Sequence, residues 1–252
     1  MTRKTRTIVF YVGIAVFIIA SYVMVLYAQG YKYSFQKHRF FLTGAISLKA
    51  NTDAKIFVND TLAGSTSFLT NSFSIDRLLP GQYVIRLQRD GYSAWQKTVS
   101  VQEGMVVDFP KVLLLSQTEE DSIALAKEIT DVLTVPAPKP GETIPFYLKN
   151  KTLYQVKNGT AVVLAKGVMG FAHTNNQDRL LWWTPNEVWV LWLTDTDYQP
   201  YHHAGDKELI TRFAVSIQRA TWFRDNDHIV LQSNGYRIIE IDKRGGINIV
   251  KI

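Results

Sequence analysis

The chain has 252 residues, of which 46% are hydrophobic and 20% are charged, and it contains no cysteine. The lack of cysteine excludes a disulfide scaffold, a thiolate metal site and a cysteine nucleophile. A charged fraction of this ordinary size excludes an intrinsically disordered chain.

The net charge of +6 comes entirely from the start of the chain. Residues 1–40 contain six basic residues and no acidic residue, whereas the rest of the chain contains 22 of each. A nucleic-acid module would instead concentrate its basic residues on a folded surface, where they replace the counterions of the phosphate backbone. We therefore expect no nucleic-acid partner.

An apolar stretch without charge covers residues 8–28. As a helix it would span about 31 Å, which matches the hydrocarbon core of a bilayer. A cleaved signal peptide is the alternative, but Leu26 stands two places before Ala28, where such a peptide needs a small residue. The sequence therefore predicts an uncleaved transmembrane anchor that contacts the lipid bilayer.

Basic residues flank the predicted anchor equally on both sides, with three in residues 1–7 and three in residues 29–43. The positive-inside count alone therefore gives no orientation. The amino terminus adds a charge to the short side, so we expect residues 1–7 to be a cytoplasmic tail. Residues after about 29 would then be extracytoplasmic, on a single-pass protein of the cell membrane.

A basic, aromatic stalk is predicted for residues 29–43, and after it the hydrophobic pattern changes to short alternating strands. Several such strands between residues 44 and 116 indicate a small β-sandwich. The turns between them contain residues that favour a fixed or positive φ: Asn59-Asp60, Pro80-Gly81, Asp90-Gly91 and Glu103-Gly104.

Residues 44–116 resemble the PEGA domain, a small all-β module of bacterial and archaeal surface proteins. The matching segments are 54–60, 64–66, 79–85, 91–92, Trp95 and 99–101. The Pro-Glu-Gly-Ala stretch that names the family is replaced here by Asn51-Thr52-Asp53-Ala54. The resemblance implies an extracytoplasmic sandwich without known catalysis.

Residues 117–145 interrupt the alternation. Acidic residues follow Thr118 and precede apolar residues at helical spacing, which predicts one short helix. Four prolines follow and favour extended chain, so we expect a semi-rigid linker: Pro136, Pro138, Pro140 and Pro145.

Strands return in residues 146–252, and they repeat at an offset of about 49 residues. Four strands per repeat are typical of propeller blades. The segment 222–230 resembles blades of the WD-repeat-like and TolB-like propellers. About two and a half blades fit, fewer than the four of a closed propeller. The chain could be part of a longer protein, the blades could be completed between chains, or this half could be a second sandwich.

No constellation of residues predicts a catalytic, cofactor-binding or metal site. Tyr201, His202 and His203 stand near Asp206 and Glu208, a group that could suggest a divalent metal. Adjacent residues of an extended chain point to opposite sides, however, so the two histidines are not expected to share an ion.

Five of the six tryptophans lie between residues 182 and 222. Buried aromatic residues between blades are one interpretation. Exposed aromatic rings that bind an envelope glycan or a protein partner are the other. On the second interpretation, the candidate surface consists of Trp183, Trp192, Tyr201 and His202.

The sequence as a whole predicts an all-β protein behind one transmembrane helix, with a PEGA-like sandwich followed by an incomplete propeller. We expect a binding or scaffolding protein of the cell envelope and not an enzyme. The alternatives are a glycan-processing enzyme or a sensor subunit whose site lies in further blades.

Overall fold

The computed structural model describes residues 2–134 and 145–252. Helix α1 (Arg3–Ala28) comes first, and none of its residues is buried. The most apolar window of this helix has a mean hydropathy of 2.6. The predicted apolar helix is confirmed, although it begins at Arg3 because Thr2 caps it by accepting a hydrogen bond from the Thr5 amide.

A β-hairpin occupies the segment that the sequence predicted as a stalk. It consists of β1 (Tyr31–Ser34) and β2 (Arg39–Leu42). Gly30 has a φ of +89°, which lets the chain turn sharply from α1 into β1. Thr43, after β2, returns to this turn and donates hydrogen bonds to the Gly30 carbonyl from its amide at 3.0 Å and its hydroxyl at 2.7 Å. The hairpin is therefore tied to the end of the helix.

Two sheets form the β-sandwich. Sheet A contains, in spatial order, β6 (Ser72–Leu78), β3 (Gly44–Ala50) and β9 (Val106–Val112), and sheet B contains β5 (Thr61–Ser65), β4 (Lys55–Val58), β7 (Gly81–Gln88) and β8 (Trp95–Val101). Strands β3 and β9 are parallel, and every other neighbouring pair is antiparallel. One apolar core fills the space between the sheets, where Trp95 meets Phe109 edge to face at 5.2 Å.

Helix α2 (Glu119–Thr134) confirms the predicted short helix. Its first turn is acidic, which suits the positive end of the helix dipole. Its apolar face is buried and consists of Leu125, Ile129 and Leu133. The prolines of the predicted linker at 136, 138 and 140 lie outside the described residues.

Three antiparallel sheets follow, each with its strands in chain order. Sheet C contains β10 (Phe146–Lys149), β11 (Thr152–Lys157) and β12 (Thr160–Lys166); sheet D contains β13 (Gly170–His173), β14 (Arg179–Trp183), β15 (Glu187–Trp192) and β16 (Lys207–Arg212); sheet E contains β17 (Arg219–Phe223), β18 (His228–Gln232), β19 (Tyr236–Glu240) and β20 (Ile249–Lys251). The repeat of four strands is therefore present in sheets D and E.

The three sheets are stacked through apolar cores. One core joins sheet C to sheet D, and a second joins sheet D to sheet E. The neighbours Trp182 and Trp183 point into different cores, as alternation along a strand requires. A third core lies between the outer face of sheet E and α2. Within residues 2–134 and 145–252 the sheets form an open series and not a closed propeller.

Candidate functional site

The sandwich meets the later sheets at two of its edge strands, β8 and β9. Edge strands carry backbone groups that have no partner inside their own sheet. The Thr98 amide of β8 donates a hydrogen bond to the Gly245 carbonyl at 3.0 Å. On β9, the Gln199 side chain accepts from the Asp108 amide at 3.1 Å and donates to the Val106 carbonyl at 2.9 Å. Loops of the carboxy-terminal half therefore cover both edges.

A buried ion pair crosses this junction. The side chain of Lys97 on β8 is fully buried, and its ammonium nitrogen lies 3.0 Å from a carboxylate oxygen of Glu240 on β19. The same oxygen accepts hydrogen bonds from the Trp95 indole at 3.2 Å and from the Asn248 amide group at 2.8 Å. Lys97 also donates to the Gly246 carbonyl at 2.6 Å. Burial raises the pKa of Glu240, and the nearby Lys97 charge opposes that rise.

Arg244 adds a second set of contacts between the two halves. Its guanidinium donates to the Asp108 carbonyl at 2.6 Å and to the Gln199 side chain at 2.7 Å. It also pairs with Asp242 at 2.7 Å. The guanidinium carbon lies 4.4 Å from the centre of the Phe109 ring, within the range of a cation–π contact. The Arg244 side chain thus contacts both the backbone and the apolar core of the sandwich.

A polar cluster lies next to this junction at the edge of sheets D and E. The Arg179 guanidinium is buried and lies 3.0 Å from a carboxylate oxygen of Asp227. The Tyr198 hydroxyl accepts from Arg179 at 2.5 Å and donates to the same Asp227 oxygen at 2.6 Å. Burial raises the pKa of Tyr198 and of Asp227. The neighbouring His228 donates to Asp225 at 2.9 Å. Burial alone would raise the pKa of Asp225, but the hydrogen bond and charge of His228, with smaller effects of other groups, lower it.

Arg179, Tyr198, Asp227 and Phe109 line a cavity of about 30 Å³ between the two halves. Its other walls include Trp192 and His202, whose rings are stacked with centres 3.7 Å apart. Burial lowers the pKa of His202, so its ring is neutral at pH 7. A cavity of this size has room for about one or two water molecules and none for a sugar ring.

The four residues predicted as a ligand surface do not form one surface. Trp183 and Trp192 are only 9% and 2% exposed and pack in the core between sheets D and E. His202 covers the ring of Trp192, and only Tyr201, at 68%, is well exposed. Both indoles lie between sheets, as the interpretation of buried aromatic residues between blades expects, because sheet D is covered on one face by sheet C and on the other by sheet E.

The two adjacent histidines also point to different partners. His202 lies 3.8 Å from Asp206, and His203 lies 3.6 Å from Asp195. In the part of the chain that the structure describes, no group of three or more histidine and carboxylate side chains could hold a metal ion.

Comparison with known families identifies the β-sandwich that forms one side of this junction. Residues 45–117 match the family model of the PEGA domain. The match runs from β3 to just beyond β9 and confirms the resemblance seen in the sequence. No curated protein matches the chain. The PEGA domain together with the apolar helix α1 fits a membrane-anchored surface protein.

Sequence reasoning missed the residues that join the PEGA domain to the later sheets. One signal was present, because Lys97 shares the inward phase of β8 with Trp95, Val99 and Val101. A lysine at an apolar position of an alternating strand indicates a buried charge that needs a partner. Nothing in the sequence identified Glu240 as that partner, since 143 residues separate the two along the chain.

Proposed function

We propose that the chain is a single-pass membrane protein of the cell envelope that displays one rigid extracytoplasmic body. This body consists of the PEGA domain and the three later sheets. Its role is to bind or scaffold other envelope components, and the proposal assigns it no catalytic step and no nucleic-acid partner. The bilayer is its first partner, through residues 8–28, and an envelope glycan or protein is the second.

The junction between the PEGA domain and sheet E is the observation that carries this proposal. Two domains on a flexible linker need no matched contacts, and such domains move relative to each other by default. Here Lys97 and Glu240 are both buried, and the edge strands β8 and β9 of the sandwich are hydrogen-bonded to the carboxy-terminal half. Because a buried charge without its partner is costly, the relative position of the two halves is strongly constrained. A rigid display body follows from this constraint.

Propeller-like packing supports the same proposal for residues 146–252. Sheets D and E are four-stranded antiparallel meanders that pack face to face through a core rich in tryptophan. Helix α2 covers the outer face of sheet E, where a further blade would otherwise pack. We therefore interpret the three sheets as an open series of propeller-like blades with one covered end.

Labelling of single cysteines in intact cells tests the topology. The chain has no cysteine, so each introduced thiol is unique. Asp90→Cys lies in an exposed turn of the PEGA domain, and Lys4→Cys lies at the exposed start of α1. We expect a membrane-impermeant maleimide to label Asp90→Cys in intact cells and Lys4→Cys only after permeabilisation. The reverse pattern would place the PEGA domain in the cytoplasm and overturn the proposal.

A further inference from the structure

A small cavity lies where α1 ends and the hairpin begins. Its volume is about 70 Å³, and its walls include Tyr27, Tyr31, Lys32 and Arg77. Arg77 belongs to β6 of the PEGA domain, 50 residues after Tyr27. Folding therefore brings a cation of the domain to the end of the apolar helix.

The Arg77 side chain is held at the helix end by aromatic contact. Its guanidinium carbon lies 4.4 Å from the centre of the Tyr27 ring, and the guanidinium donates a hydrogen bond to the Tyr27 hydroxyl. The Lys32 ammonium approaches from the hairpin and lies 3.4 Å from the Arg77 carbonyl oxygen. Two cations from separate elements thus meet at one cavity.

These cations have no acidic partner in the described residues. The ion pairs found in residues 2–134 and 145–252 include neither Lys32 nor Arg77. The nearest acid along the chain, Asp76, instead accepts a hydrogen bond from the Ser74 hydroxyl at 2.8 Å. Two further exposed bases lie on the same hairpin and its turn: Lys37 and Arg39. The helix end therefore carries a local excess of positive charge.

The position of this charge indicates the source of its counter-charge. Tyr27 lies in the last turn of α1, so in an anchored chain the cavity opens at the level of the lipid headgroups. Guanidinium and ammonium groups together suit a phosphate, since arginine offers several donors in one plane. A cavity of this size admits a compact group such as a phosphate and not a whole lipid.

We infer that this cavity binds the phosphate of an anionic phospholipid headgroup. The inference rests on the proposed membrane anchoring. It adds a lipid preference, which anchoring by an apolar helix alone does not require. Each base near a membrane surface strengthens binding to anionic lipid by about fivefold.

Spin-labelled lipids in reconstituted vesicles test this inference. The full-length chain is placed in phosphatidylcholine vesicles, and the association of spin-labelled phosphatidylglycerol is compared with that of spin-labelled phosphatidylcholine. We expect a preference for phosphatidylglycerol of about 25-fold, about fivefold for each base. Arg77→Gln should reduce it about fivefold, and adding Lys32→Gln should bring it close to one. The control Lys55→Gln removes an equal charge from an exposed site on β4 and should leave the preference unchanged.

Four results would overturn the inference. Equal association of the two lipids, or an equal loss in the Lys55→Gln control, would show that no local site exists. Binding of inorganic phosphate at this cavity, at constant ionic strength and without any preference for phosphatidylglycerol, would show that the site takes free phosphate and not lipid. Extraction of the chain from the vesicles by alkaline carbonate would refute both the membrane anchoring and the lipid site. A chain that stays in the vesicles but shows no lipid preference would refute the lipid site alone.

Discussion

Sheets C and E lie at the two ends of the same series, but their outer faces differ. The outer face of sheet E is covered by α2, and its core residues Phe223, Val230 and Ile238 are buried. On sheet C, the register places Tyr147, Tyr154 and Val163 in one cross-strand row. Val163 is 47% exposed, and no described residue covers this row as α2 covers sheet E.

The difference between the two outer faces shows that a helix can close one end of the series of sheets. A sheet needs an apolar layer on each face that it buries, and a helix supplies that layer as well as another sheet does. Sheet E also carries Glu240, which pairs with the PEGA domain, so it contacts both halves of the protein. Within the described residues, the buried face of sheet C packs on sheet D. Mutations should therefore cost far more stability around sheet E than on the outer face of sheet C.

The largest effect is expected from Lys97→Met. This change leaves Glu240 buried without its partner, and breaking a buried pair in this way costs about 3–5 kcal/mol. Denaturant unfolding of the full-length chain in detergent micelles, followed by tryptophan fluorescence, measures the loss.

The double variant Lys97→Met/Glu240→Leu is the matched control for that prediction. It removes both charges, so its stability should lie within about 1 kcal/mol of the unmodified chain. A loss below about 1 kcal/mol in the single variant would show that the pair does not hold the two halves together.

The covering helix can be tested by Ile129→Ala. Ile129 is fully buried between α2 and sheet E, and removing a buried isoleucine side chain costs about 2–5 kcal/mol. The same unfolding measurement applies. Ile123→Ala is the matched control, because Ile123 lies on the same helix but is 66% exposed, and it should cost little. Equal losses in the two variants would mean that α2 does not pack on sheet E.

A smaller effect is expected on the outer face of sheet C. The rings of Tyr147 and Tyr154 stack with centres 5.0 Å apart, and such a pair contributes about 0.5–1.5 kcal/mol. Tyr154→Leu, which keeps an apolar side chain at this position, should therefore lower the unfolding free energy by about that amount. A loss as large as that of Ile129→Ala would contradict the contrast between the two ends.

The smallest effect on stability is expected from the ion pair between α2 and the turn after β17. Glu128 and Arg224 form two hydrogen bonds at 2.6 and 2.9 Å, and the bond from Arg224 lowers the pKa of Glu128. Both side chains are more than a third exposed, so solvent screening limits the pair to about 0.2–1 kcal/mol.

A pH series separates this contribution from the others. A carboxyl group whose pKa is lower in the folded than in the unfolded chain stabilises the fold at pH values above its unfolded pKa, which is about 4.3 for glutamate. That stabilisation is lost as the pH falls through the folded pKa. Glu128→Gln should therefore be less stable than the unmodified chain at pH 7 and equally stable near pH 2. A difference that persists at low pH would rule out the carboxylate charge as its cause.

Local patterns predicted the elements well. The uncharged run of residues 8–28 predicted α1, and the alternation and turn residues predicted most strands. Asn59, Asp60, Gly91 and Gly104 all have a positive φ, as their turn positions suggested. These signals come from neighbours in sequence, which is why they can be read without a structure.

The contacts between distant segments could not be predicted in the same way. The sequence left open whether Trp183 and Trp192 are buried or exposed, because alternation shows that neighbouring residues lie on opposite faces of a strand but not whether each face is covered. The pairing of Lys97 with Glu240, and of Gln199 with the edge of β9, depends on how two separate regions dock. Arg77 likewise reaches Tyr27 only through the fold of the PEGA domain.

Hydrogen exchange of the full-length chain in micelles, at increasing denaturant concentration, tests most directly whether the PEGA domain and the later sheets form one body. Peptides from β3 and β8 report on the sandwich, and peptides from β14 and β18 report on sheets D and E. One body predicts that the most protected amides of both regions open with the same free energy and the same denaturant dependence. Separate opening of the sandwich, with a smaller free energy and slope than the sheets, would contradict the account.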